Sequence, residues 1–267
     1  MGADIMAVRG FHVPVSEHAR NRILAHFVLT MSNQVGVLEG IARVLARCKV
    51  NILSGCHEAP VGSDGVWSFF ADVTDTTLPP DELAKALSRA PSVRDVKFRV
   101  SRTGFIADMF HFPPEFVGPI LVMSVASMRE MFRHAKEIVG DSAGDVLIHQ
   151  LGLANGKGVA SGIESVFGKR PTREELEEYL HLIRAAGWGV ETLKELDYEG
   201  ATARVQLAQS TECSFYTRSS KAQSQFVKGS YEAQFSALFG KPVVAEEVLC
   251  VGKGDLVCEF VVKPRNS

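Results

Sequence analysis

The sequence predicts an α+β protein of two halves: a small ferredoxin-like βαββαβ sandwich, then a larger domain of helices packed on an antiparallel sheet. Three observations carry this. Between Arg22 and Arg102 apolar residues fall at period two or period 3.6 in the order strand, helix, strand, strand, helix, strand. Beyond Ile120 long helical patterns alternate with short strand-like runs. The chain then closes on two apolar runs flanking Gly252-Lys253-Gly254-Asp255, which reads as a hairpin whose tight loop needs glycine.

Taken in order, residues 1–21 form a mixed extension with Pro14 and no clear period, read as a short strand or ordered arm. Ile23 to Met31 is strand-like, and Ser32 to Gly36 turns the chain into a helix over Val37–Cys48, where Val37, Ile41, Val44, Leu45 and Cys48 share a face. A second strand spans Val50–Ala59. In the third, Trp67, Phe69, Ala71 and Val73 alternate with polar and aromatic neighbours. Pro79-Pro80-Asp81 opens a second helix that buries Leu83 and Leu87, and Val96, Phe98 and Val100 mark the fourth strand. Residues 103–119, rich in Pro, Gly and aromatics, fit neither template and read as a linker packed on something.

The segment 22–102 resembles an ACT domain, the amino-acid-sensing module, in Asn33, Gln34, Val35, Gly36, Val37 and Leu38 after the first strand and in Asn51-Ile52 opening the second. The resemblance implies that a small effector sits against these residues, between paired domains. The chain departs from the common Asp-x-Pro-Gly pattern, with Asn33 for the acid and Val35 for the proline. Read alone, Asn33 and Gly36 are turn and capping residues. Pure dimerisation competes with effector binding, because a four-stranded sheet leaves an edge that wants covering.

In the second half a strand is expected over Ile120–Val125, then a helix capped by Ser127 and running to Val139. Gly152 to Gly162 contains Gly-Lys, yet Walker spacing fails at Leu151 and Gly158. The better reading is a helix over 143–167 whose small residues permit close packing. Thr172 and Glu175 form a capping box for the next helix, which Gly187 stops. Strands follow at 189–196 and 201–206, then a helix over 219–239 bearing Phe226, Tyr231 and Phe235.

Cys250 and Cys258 sit on the two arms of the closing hairpin. If they pair across it, their Cβ atoms lie roughly 4.5–5.5 Å apart and both thiolates reach one metal ion. Glu247 adds an oxygen only if a bulge or strong twist turns it to the same face. The alternative is two reduced cysteines buried in a sheet. This tail, with Gly229 and Gly240, resembles the end of a 4-vinyl-reductase-type domain. That family includes archaeal hydrocarbon-binding proteins, bacteriochlorophyll vinyl-reduction proteins and the sensing domains of phenol-responsive activators. For its zinc-bearing sensors the resemblance implies four ligands: a Cys before the penultimate helix, a Glu, and two further Cys. Glu247, Cys250 and Cys258 match three of them. Ser224 stands at the fourth, so zinc binding needs Cys213 or an outside ligand.

Composition bounds the rest. With 267 residues, 46% of them hydrophobic, the chain can bury one large core or two moderate ones. A net charge of −2 supplies no basic stripe for nucleic acid. The five cysteines are not spaced as a disulfide framework, which points to a reducing, cytoplasmic setting. No apolar run is long enough to span a membrane. No histidine pair has metal-ligand spacing on a helix, and no nucleophile elbow or dinucleotide fingerprint is present. The sequence therefore predicts a binding protein more than an enzyme. It reads as a homodimeric small-molecule sensor whose second domain, 120–265, encloses an apolar or aromatic ligand among Trp188, Phe226, Tyr231 and Phe235. Its output passes through a partner protein. The competing readings are a role in tetrapyrrole vinyl reduction, drawn from the family name, and a ligand-free scaffold.

Overall fold

The structure, a computed structural model, describes residues 13–111, 120–216 and 221–265. The chain divides into two compact units, Met1–Pro114 and Glu115–Ser267.

The first unit runs β1 (Ser16–His18), β2 (Leu24–Met31), α1 (Val37–Arg47), β3 (Asn51–Glu58), β4 (Gly65–Asp72), α2 (Pro80–Ser88), β5 (Val93–Ser101) and β6 (Phe105–Ala107). Four strands make an antiparallel sheet in the order β3-β4-β2-β5, the expected ferredoxin-like arrangement. As an inner strand, β2 is buried on both faces. Ala25, Phe27, Leu29 and Met31 pack with Phe69 of β4 and with Ile41, Leu45, Leu83 and Leu87 of the helices. Each large side chain of this kind contributes roughly 1.5–3 kcal/mol when fully buried. Leu24 and Phe70 face the other way and pack on Ile106.

That second contact revises the expected linker. Residues 105–107 form a strand that pairs antiparallel with β1, Ser16 opposite Ala107 and His18 opposite Phe105. The three-residue strands are too short to show a period, but Ile106 is an apolar plug for the outer face of the sheet. Residues 1–12 of the extension and 112–119 of the linker lie outside the described residues.

The second unit contains α3 (Val125–Val139), α4 (Asp141–Phe167), α5 (Arg173–Ala185), β7 (Val190–Asp197), β8 (Thr202–Ala208), α6 (Gln225–Phe239), β9 (Val243–Leu249) and β10 (Cys258–Pro264). Its antiparallel sheet has the order β7-β8-β10-β9. Val205, Leu207, Phe260 and Val262 of the sheet pack with Leu176, Leu180, Tyr231 and Phe235 of the helices. The small-residue stretch is helical, as expected, and its purpose is visible. A Cβ on Gly152 would lie 2.1 Å from the Phe226 carbonyl oxygen, and one on Gly156 2.1 Å from that of Ser230. Backbones of α4 and α6 thus touch directly, which no larger residue permits.

Two expectations fail here. Residues 120–124 form no strand, and Leu121 stands 83% exposed. A strand needs a neighbour to satisfy its backbone, and none is paired there. Ser124, not Ser127, is the N-cap of α3: its side chain accepts from the Ser127 amide at 3.0 Å. The capping box of α5 forms as expected, with Thr172 and Glu175 bonded reciprocally. Among the described residues no helix is long and apolar enough to cross a membrane.

Candidate metal centre

The closing hairpin is more elaborate than a tight turn. β9 ends at Leu249, a 3-10 turn spans Val251–Lys253, and Gly254 takes a φ of +108° that favours glycine. The Asp255 carboxylate accepts from the Cys250 amide at 2.8 Å and fixes the loop. Cys250 and Cys258 are therefore not opposite one another; Glu259 opposes Leu249 and Phe260 opposes Glu247. Val248 is the extra residue between those pairs. This bulge breaks the alternation along β9 and brings Glu247 to the thiols, the condition its use as a ligand required.

The third sulfur arrives from elsewhere. Cys213 lies in a 3-10 turn after β8, its amide bonded to the Ser210 hydroxyl at 3.2 Å. Its Sγ is 3.3 Å from that of Cys258 and 3.6 Å from that of Cys250. One ligating atom each from Cys213, Glu247, Cys250 and Cys258 falls within a 4.8 Å cluster. Ser224, at the position matching the sensors' cysteine, lies among them: its hydroxyl donates to Glu247 at 2.8 Å and sits 3.1 Å from the Cys213 sulfur.

The three cysteines are buried, and their charges are unequal. The hydrogen bond from Cys258 draws the Cys213 thiol down to about 6, against burial, with the Ser224 hydroxyl adding to the effect. Burial pushes Cys250 up to about 12. Cys258 is raised too, first by its bond to Cys213 and then by burial. One thiolate is thus solvated by two thiols. Three sulfurs and a carboxylate oxygen suit a tetrahedral cation, whose ligands at about 2.3 Å lie roughly 3.7 Å apart. The donor set fits a metal ion, which would hold all three sulfurs as thiolates.

Beside this cluster, Glu212 is buried and its carboxylate accepts from the amides of Phe226 and Val227, both at 2.9 Å, so it caps α6. Burial pushes it up to about 8, opposed by those two bonds. Sequence reading missed this residue, since a cap placed so far before the helix start leaves no local signature. It also began the helix at Ser219; residues 221–224 are not helical, and 217–220 lie outside the described residues.

The four aromatics expected around a ligand do not gather. Trp188 stacks on Phe226, centroids 4.9 Å apart and planes within 4°, in a small cluster with Phe132 and Ile148. Tyr231 and Phe235 belong to the main core. The Tyr231 hydroxyl donates to Glu191, whose other carboxyl oxygen is enclosed without a partner among the described residues. Burial raises Glu191 to about 7, against that hydrogen bond.

In the first unit, Gly36 is the N-cap of α1 with a φ of +90°. Asn33 caps nothing; its amide donates to the carbonyls of Ala59 and Pro60 at 3.3 and 3.4 Å. Asn33 and Gln34 line an open cleft of about 500 Å³ with Ser63, Asp64 and Arg94. Val35 and Leu38 are exposed, Val37 packs against the core, and Asn51 pairs with Asp72 at the start of β3.

An α+β domain whose last hairpin carries a metal-competent thiol cluster is the class these features define. Residues 203–264 match the vinyl-4-reductase (V-4-R) domain family, a stretch that contains all four donors. Among solved structures, the second half is similar to the phenol-responsive sensory domain of the transcription activator PoxR, determined with phenol. The two share 18% identity at a TM-score of 0.50, covering 55% of this chain and 77% of that one. A vinyl-4-reductase family protein from Methanocaldococcus jannaschii is 15% identical at a TM-score of 0.33, covering 56% and 100%. The ACT domain from GTP pyrophosphokinase of Chlorobium tepidum is 16% identical at 0.24, covering 28% and 96%. No curated protein matches the chain.

Proposed function

We propose that this chain is a non-catalytic, ligand-responsive regulatory protein. The vinyl-reductase-like domain, 120–265, takes a small apolar or aromatic molecule, and the ACT-like domain, 22–102, pairs two copies and senses an amino acid. The observation that carries the reading is the shared fold of the second half and a phenol-responsive sensory domain. Zinc at Cys213, Glu247, Cys250 and Cys258 has a structural role: it ties the hairpin to the turn after β8 and to the base of α6, and supplies charge that keeps the sulfurs deprotonated. Pairing is supported by the edge strand β3, which is open to solvent and presents Ile52 and Leu53. The protein works in the reducing cytoplasm, where its thiols persist.

Thermal melting of the full chain with amino acids, phenols and fatty acids tests the reading. A ligand at one hundred times its dissociation constant adds roughly 2.7 kcal/mol to the unit that binds it. No shift with any of them favours a scaffold; a pigment carried through purification favours the tetrapyrrole role. Elemental analysis should find one zinc per chain, released by chelator.

A further inference from the structure

A second group of ligating side chains meets on the outer face of the first sheet, remote in sequence from any cysteine motif. We propose that His26, Asp108 and His111 form a binding site for a divalent transition-metal ion of the zinc, cobalt and nickel class. His26 lies on β2 with its ring fully buried, stacked on Phe70 at 4.2 Å. Its Nε2 is 2.9 Å from the Ser68 hydroxyl. With Nε2–H donating there, Nδ1 turns a lone pair inward, and this nitrogen has no hydrogen-bond partner among the described residues. A buried polar atom left in that state costs about 1–3 kcal/mol.

What Nδ1 faces is Asp108 Oδ1, 3.7 Å away. That is too long for a hydrogen bond and close to the spacing of two donors that each sit about 2.1 Å from a shared ion. Asp108 is held for the purpose: its Oδ1 accepts from the Phe110 amide at 2.7 Å and the His111 amide at 3.3 Å, and its Oδ2 lies 2.6 Å from His111 Nδ1. One ligating atom from each of the three falls within 4.8 Å of the others. Two imidazoles and one carboxylate suit zinc, cobalt, nickel and ferrous iron better than calcium or magnesium. The exposed edge of His111, 42% accessible, supplies an entry path and leaves room for a further ligand. The ion would join β2 to the segment after β6 that covers the sheet.

Cobalt(II) tests this on the full chain, because cobalt bound by nitrogen and oxygen lacks the sulfur-to-metal absorption of a thiolate site. Equilibrium dialysis should give the wild-type protein one cobalt more than His111→Ala or Asp108→Asn, with the sulfur-to-cobalt band equal in all three. Equal stoichiometry in the three proteins would overturn the proposal and leave a structural histidine–aspartate pair. Independently of any variant, zinc added to wild-type protein should shift the imidazole nitrogen resonances of His26 and His111; unchanged resonances likewise overturn it.

Discussion

In the C-terminal unit the clustered donors are three sulfurs and a carboxylate, the sulfurs all buried, drawn from one turn and the two arms of a hairpin. In the N-terminal unit they are two imidazoles and a carboxylate, with one ring sealed and the other in solvent. The difference is one of tolerance. Imidazole and carboxylate can satisfy each other by a shared proton and by water. Three enclosed thiols share a single negative charge only at the expense of two raised pKa values, and they gain far more from a cation. The same contrast runs through the interiors: the first unit buries a histidine, whereas the second buries the acids Glu212 and Glu191.

The largest expected effect would break this comparison if it appeared in the wrong half. Cys258→Ser, or stripping metal with chelator, should cost the C-terminal unit about 3 kcal/mol or more, because metal binding there is folding energy. Calorimetry should show one transition falling while the N-terminal transition stays in place. Glu191→Gln comes next. The fold raises this carboxyl to about 7 from 4.5, so it is held protonated. Its stability contribution is complete below pH 4.5 and is lost as pH climbs to 7, about 3 kcal/mol at most. Urea melts between about pH 5 and 8 should slope downward for wild type and flatten in the variant. Ser224→Cys should sharpen the contrast by adding a thiol at the sensors' fourth ligand position and tightening zinc about tenfold in chelator competition. Gly36→Ala has the smallest effect. Nothing lies within 4 Å of the new methyl, so the positive φ alone sets a cost of about 1 kcal/mol, confined to the first unit.

Much of this was legible before the fold was known, where chemistry is local. Glu247, Cys250 and Cys258 declare themselves by spacing, and the βαββαβ order by period. Cys213 was a candidate by elimination; its place beside Ser224 depends on how the chain turns after β8. His26 left no trace, being one polar residue in an apolar strand, and its partners lie in a segment without period. The expected strand at 120–125 shows the opposite error: apolar composition suggested pairing, but no neighbour is there to pair with.

The seam of Gly152, Gly156 and Gly229 has a mechanical consequence. Where two backbones meet with no side chain between them, no rotamer can absorb a displacement. Helices α4 and α6 must travel as one strut, so any nudge at the capped end of α6 reaches the far side of the bundle undiminished.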